Sequence, residues 1–253
     1  CRHCYSSSQG DRCRSELSTS QARGLIDQLS AMNCPVVLFS GGEPLLRQDI
    51  FELLDHAGKQ GLRTVLSSNG TLIDEKTAMR IKQAGVSYVG ISLDGPESFH
   101  DEFRNSSGSY AAALEALSNC RMAGIRTGLR FTMTRANCNY AQTIFEIARQ
   151  TGVRRICFYH LVETGRASEQ IGQGPSAEQI RRVMDKIIDM TGQYVDKGIL
   201  DEVLTVGNHA DGPYLLLKMK RQENPNYEKA KGLLKINGGN RTGEGICCVS
   251  WDG

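Results

Sequence analysis

The sequence predicts an α/β protein built on a parallel sheet. Three observations carry that prediction. A phrase recurs in which a helical pattern ends in Gly, one apolar residue follows and a β-rich run begins. Helix-start signals fall between those runs, and polar, glycine-rich stretches follow them. The phrase occurs at Gly61-Leu62, Gly85-Val86, Gly124-Ile125 and Gly152-Val153. Glycine just after a helix supplies the left-handed conformation that ends it, so each phrase reads as helix, cap, strand.

Strands are predicted over 36–40 (VVLFS), 63–68 (RTVLSS), 88–93 (YVGISL), 127–134 (TGLRFTMT) and 155–162 (RICFYHLV). Helices are predicted to start where Ser18 and Gln21 have capping-box spacing, where Asp74 precedes EKTAMRIKQAG, and where Ser109 precedes YAAALEALSNCRMAG. Strand then helix, five times over, needs crossover connections, which give a parallel sheet with helices packed on it. An open doubly wound sheet and a barrel both satisfy this pattern. No G-x-G-x-x-G follows any strand, so a dinucleotide-binding version lacks its main support. Residues 176–198 read as an amphipathic helix with Ile180, Val183, Met184, Ile187 and Ile188 on one face, a cover for the sheet.

Composition narrows the class. A chain of 253 residues can form one large α/β domain, and 40% apolar with 23% charged residues is the mixture of a soluble globular protein. The net charge of +2 gives no reason to expect a nucleic-acid partner. No run approaches eighteen apolar residues and no charged-then-apolar leader is present, so no membrane association and a cytoplasmic location are expected. Nine cysteines, an odd number, cannot all pair internally, which favours reduced thiols or metal ligands. Cys1 and Cys4 form C-x-x-C and Cys247 and Cys248 are adjacent, while Cys13, Cys34, Cys120, Cys138 and Cys157 are scattered and read as small buried hydrophobes.

In parallel α/β folds the chemistry lies at the C-terminal strand ends. Ser40, Gly41, Gly42, Glu43 and Pro44 follow the first strand, Ser67, Ser68, Asn69 and Gly70 close the second, Ser92, Asp94 and Gly95 close the third, and Arg130 and Thr132 lie in the fourth. In SGGEP, two glycines let backbone approach a ligand, Glu43 can accept hydrogen bonds from an ammonium group, and Pro44 stiffens the exit. A Gly-Gly turn with a capping Glu is also a common structural device.

With CRHCY upstream of SGGEP, the sequence resembles the radical S-adenosylmethionine (SAM) superfamily. The resemblance covers roughly residues 1–168 and implies a partial (β/α)6 TIM-type barrel whose first strand is missing from this chain. It implies a 4Fe-4S cluster held by three cysteines: Cys1, Cys4 and one expected four residues before Cys1. Tyr5 matches the aromatic residue that often follows. Gly41, Gly42, Glu43 and Pro44 match the segment that binds the SAM amino group; Ser68, Asn69, Ser92 and Asp94 match positions lining the SAM pocket; Arg130 matches a basic residue that pairs with the SAM carboxylate; and Val162 falls where backbone meets adenine. The implied chemistry is reductive cleavage of SAM to methionine and a 5′-deoxyadenosyl radical, with ferredoxin or flavodoxin as reductant.

The phrase GEGICCVSWDG resembles the start of a SPASM extension, truncated here, in which Cys247 or Cys248 could be a first ligand of an auxiliary Fe-S cluster in the full-length protein. With HLVETGRA and VGNHADGPYLLLKMK, it makes the chain similar to the radical SAM enzymes of modified-haem synthesis, of the NirJ and AhbC types. That similarity implies a siroheme-derived tetrapyrrole substrate that loses propionate or acetate side chains, whose carboxylates His209 and Arg241 could meet. The expected divisions are a barrel core over 1–168, a covering helix and linker over 169–205, and the start of the extension over 206–253. The rival expectation is a SPASM-type maturase of a ribosomally made peptide; a non-catalytic α/β binding protein is a third.

Overall fold

The four helix-cap-strand phrases fold as the sequence predicts. Gly61, Gly85, Gly124 and Gly152 all take positive φ, between 69° and 80°, and each leads into a strand. In the computed structural model, residues 3–4, 16–170, 172, 174–238 and 245–253 are described. The strands are β1 (Val36–Phe39), β2 (Arg63–Ser68), β3 (Tyr88–Ser92), β4 (Arg126–Met133), β5 (Arg155–His160) and β6 (Glu202–Val206). They pair in the order β1-β2-β3-β4-β5-β6, every neighbour parallel, and the sheet curls into a half-barrel. Of the two arrangements compatible with the pattern, this is the barrel-like one.

The helices are α1 (Thr19–Ala31), α2 (Ile50–Lys59), α3 (Glu75–Gln83), α4 (Glu97–Arg104), α5 (Ser109–Met122), α6 (Ala141–Thr151), α7 (Ala177–Asp196), α8 (Asp211–Arg221) and α9 (Tyr227–Asn237). Ser18 and Gln21 form the expected capping box on α1, as Ser176 and Gln179 do on α7, and Asp74 caps α3 through Thr77 N–H. Helix α5 is different. Gly108 stands at its N-cap, and Asp101 of α4 reaches across to accept from Gly108 N–H, Ser109 Oγ and Tyr110 N–H. A carboxylate eight residues upstream therefore does the work that the sequence assigned to Ser109.

Helices α4, α8 and α9 and strand β6 were not foreseen. Helix α4 has only eight residues, too few for a periodic pattern, and ends at Asn105 in the left-handed conformation. Strand β6 lies in a stretch that reads as linker because it opens on Asp201 and Glu202, and it straddles the expected boundary at 205/206. It forms because Asp201 N–H donates to the Arg154 carbonyl and Glu202–Val206 then pairs with Arg155–Tyr159.

Period two divides the sheet. Val89, Ile91, Leu129, Phe131, Met133, Ile156 and Phe158 point into the core, which α2, α3, α5, α6 and α7 cover. Phe158 is fully buried with its ring 5.7 Å from Phe131 and 5.6 Å from Phe145. Cys120, Cys138 and Cys157 are buried, as expected of the scattered cysteines, whereas Cys34 is only half-buried; burial pushes the Cys120 thiol up to about 11, and Cys13 lies outside the described residues. No helix among the described residues is long and apolar enough to cross a membrane. Phe158→Ala should destabilise the protein by about 3–5 kcal/mol, read from urea unfolding, because it removes a ring that the surrounding aromatic packing cannot replace. A loss below about 1 kcal/mol would contradict this core.

Candidate active site

The residues that alternate with the core set face the side of the sheet that the helices leave uncovered. They include Ser67 on β2, Tyr88, Gly90 and Ser92 on β3, Gly128, Arg130 and Thr132 on β4, and Arg155, Cys157 and Tyr159 on β5. This inner face is polar, cationic and aromatic, and its upper edge is formed by the C-terminal strand ends.

At that edge Glu43 bridges two strands. Gly41, with φ of 122°, and exposed Gly42 lead the chain out of β1, and buried Pro44 opens a short 3-10 turn of which Glu43 is the N-cap. The structural device is present: Glu43 Oε1 accepts from Leu45 N–H at 3.3 Å. The same oxygen also accepts from Ser68 Oγ at 2.9 Å, while Oε2 accepts from Asn69 N–H at 2.7 Å. The carboxylate is thereby fixed over the end of β2. Burial raises its pKa above the usual carboxylate range against the lowering effect of these three donors, and no cation pairs with it among the described residues. Asn69 uses its own side chain locally, accepting from Thr71 N–H and Oγ1.

Ser92 and Arg130 are register partners across β3 and β4. Both face inward, and the Arg130 guanidinium lies over the Tyr159 ring, 4.5 Å from its centroid. Among the described residues Arg130 has no carboxylate partner. The strands carrying Ser68 and Arg130 are two spacings apart, about 10 Å. This set could hold an α-amino-acid zwitterion, with Glu43 for the ammonium and Arg130 with the Ser92 hydroxyl for the carboxylate.

Asp94 is fully buried behind this edge. Its Oδ2 accepts from Arg104 Nε at 2.5 Å, its N–H donates to His100 Nδ1 at 3.1 Å, and its carbonyl accepts from Asn137 Nδ2 at 3.1 Å. Burial favours the neutral acid, but Arg104 and the other partners outweigh it and hold Asp94 below the usual range. Among the described residues one oxygen, Oδ1, is buried without a hydrogen-bond partner, and so is His3 Nδ1. His3 stacks on Phe103 of α4, with ring centroids 4.6 Å apart and planes 8° from parallel. His3, next to half-buried Cys4, is thus seated against α4, close to the Asp94 charge. Cys1 and Tyr5 lie outside the described residues. Among those described, no three His, Cys, Asp or Glu side chains converge as a metal site.

Beyond β5, which ends two residues earlier than expected, Val162 is exposed and its carbonyl accepts from Thr164 N–H. His209 is exposed in the turn before α8, Cys247 and Cys248 are exposed, and Arg241 lies outside the described residues. Sequence reasoning missed Arg104, His100, Phe103 and Asn137. The signal that could have found two of them is the spacing of His100 and Arg104, one helical turn apart and just after Asp94.

Asp94→Asn leaves Arg104 without its buried partner and should cost about 3–5 kcal/mol at neutral pH. The folded-state pKa of Asp94 is depressed, so the wild-type advantage is present above the ordinary carboxylate pKa and is lost as pH falls through the lower folded value. Urea unfolding at pH 7 and below pH 4 should show the gap closing in acid; a constant gap would contradict the ion pair.

The radical SAM superfamily model matches residues 1–137. An Fe-coproporphyrin III synthase from Methanosarcina barkeri is 45% identical over 253 residues, all of this chain and 63% of that protein. A pre-heme d1 synthase from Dinoroseobacter shibae is 33% identical over 259 residues, again all of this chain and 63% of that protein. A mycofactocin maturase from Mycolicibacterium smegmatis is 32% identical over 190 residues, 74% of this chain and 48% of that protein. The chain thus spans less than two thirds of these relatives. Among solved structures, native anSMEcpe with bound AdoMet shares the fold, with a TM-score of 0.67 at 17% identity over 87% of this chain and 62% of that one. The family model covers more than half of the chain, and the geometry of the sheet agrees with it: the chain belongs to the radical SAM superfamily.

Proposed function

We propose that the protein of which this chain is part cleaves S-adenosylmethionine at a 4Fe-4S cluster and acts on a side chain, propionate or acetate, of a siroheme-derived tetrapyrrole. When bound, the cluster and SAM supply a reducing electron and an adenosyl radical able to remove hydrogen from carbon. The observation that carries the cofactor part is the Glu43 carboxylate fixed by Ser68 and Asn69 at one strand end, with Ser92 and Arg130 on the strands beside it. The substrate part rests on the 45% identity to an Fe-coproporphyrin III synthase over the whole chain.

In this reading Cys4, with Cys1 and a cysteine upstream, binds the cluster. Gly41 and Gly42 admit the ligand against the backbone, and Pro44 holds the turn. Glu43 receives the SAM ammonium, Arg130 and Ser92 receive its carboxylate, and backbone at Val162 meets adenine. Ser68 and Asn69 position Glu43. Asp94 is enclosed, so its part is to position α4 and, against it, His3 beside Cys4. The uncovered inner face receives the macrocycle, and a ferredoxin or flavodoxin supplies electrons.

Glu43→Ala should weaken SAM binding roughly 10- to 150-fold, because a charge-assisted hydrogen bond contributes about 1.5 to 3 kcal/mol, while cluster content stays unchanged. Unaltered SAM affinity in a cluster-replete variant would remove Glu43 from this role. Cys4→Ala in the full-length protein should lose the cluster together with 5′-deoxyadenosine formation; near-normal iron content would exclude Cys4 as a ligand.

The substrate is tested with the full-length enzyme, didecarboxysiroheme, SAM and a reductant. Deoxyadenosine should form together with a tetrapyrrole of lower mass, and the mass lost separates acetate from propionate by one CH₂. The similarity to a mycofactocin maturase supports the peptide alternative. Deoxyadenosine formation stimulated by a peptide and not by the tetrapyrrole would establish that reading instead.

A further inference from the structure

The inner face carries a second cationic position beneath Ser92 and Arg130. Gly90 of β3 and Gly128 of β4 are register partners, which opens a smooth strip in the wall. A Cβ on Gly90 would lie 2.6 Å from Arg130 Cδ, and one on Gly128 would collide with the Tyr88 hydroxyl. The glycines therefore let Arg130 and Tyr88 lie flat along the sheet. Tyr88 lies beneath Arg155 of β5, whose guanidinium carbon is 4.8 Å from the ring centroid, as Arg130 lies over Tyr159. Arg155 is level with Gly128, two residues or about 7 Å from the Ser92–Arg130 row toward the N-terminal strand ends.

Arg155 is weakly held by its own protein. Its acidic neighbour Glu202 on β6 approaches Nε at 3.3 Å, but Nε is buried with no hydrogen-bond partner, so the contact is an ion pair without directed bonding. No side-chain hydrogen bond joins Arg155 to a described residue, and 34% of its side-chain surface is open. A guanidinium carbon placed 4.8 Å over an aromatic ring leaves N–H groups for bidentate binding of a carboxylate. Burial pushes the Tyr88 phenol up to about 12, so it stays protonated and able to donate.

We propose that Arg155, seated on Tyr88, anchors a carboxylate side chain of the macrocyclic substrate. The position suits such a ligand: two guanidinium groups, each over a tyrosine ring, line one wall, offering apolar ring surface and anion-binding edges together. The upper guanidinium serves the SAM carboxylate and the lower one the substrate, which sets the macrocycle below the SAM-binding edge. The inference rests on the tetrapyrrole reading above.

The test uses full-length, cluster-replete enzyme and follows the Soret band during titration with iron coproporphyrin III and with its tetramethyl ester. Wild type should bind the free acid at least tenfold more tightly than the ester. Arg155→Gln should weaken binding of the acid about 10- to 100-fold and abolish the preference over the ester, while SAM affinity stays within about twofold. Arg155→Lys keeps a point charge without the fork and should fall between the two; it also supplies the answer if Arg155→Gln does not fold. An unchanged acid-to-ester ratio in the folded variants would overturn the anchor and leave the tetrapyrrole reading standing. Failure of wild type to bind either compound would overturn both.

Discussion

A parallel sheet covered by helices on one face must divide its residues by parity. Every second side chain enters the core and the rest face the uncovered side. In this protein that division is sharp. On β3, β4 and β5 the core set is aliphatic or phenylalanine, while the inner set is Tyr88, Gly90, Ser92, Gly128, Arg130, Thr132, Arg155, Cys157 and Tyr159. No globular core would place two arginines and two glycines on the buried side of central strands, so the composition of the inner set is itself evidence that this face is kept for something other than packing. Curling of the sheet turns it into a concave wall.

The strand ends use the same constraint differently. Where pairing stops, the chain turns outward through glycine, and polar groups of adjacent strands come within bonding distance. Glu43 leaves β1 and is fixed by donors from the end of β2; Asp94 leaves β3 and is fixed by Arg104 and by Asn137, which follows β4. The two carboxylates differ in what holds them. Asp94 has a cation and is depressed; Glu43 has only neutral donors and is raised. A buried carboxylate without a cation is costly unless something positive completes it, which is why Glu43 rather than Asp94 reads as the ligand-facing acid.

Much of this was legible in the sequence because its signals are local. The helix-capping glycines, the capping box at Ser18 and the runs of β-branched residues each specify a short stretch of backbone. SGGEP and the strand-end polar residues, singled out in the sequence, lie together at the C-terminal edge of the sheet. What was not legible depends on contacts distant in sequence. Asp101 caps α5 from the preceding helix, β6 exists only because β5 offers it an edge, and His3 stacks on Phe103 a hundred positions away. Arg155 reads only as the first residue of a predicted strand, and the register that sets it beside Gly128 and over Tyr88 gives it meaning.

The account turns on Glu43 being preset by its neighbour strand, and a double-mutant cycle between Glu43 and Ser68 on SAM affinity tests this most directly. If the Ser68 hydroxyl acts by orienting the Glu43 carboxylate, Ser68→Ala should weaken SAM binding about tenfold in the wild-type background and have little effect once Glu43 is Ala, a coupling of about 1 kcal/mol or more. Losses that simply add in the double variant would show that the two residues act independently, and would contradict a carboxylate prepared for its ligand by the end of β2.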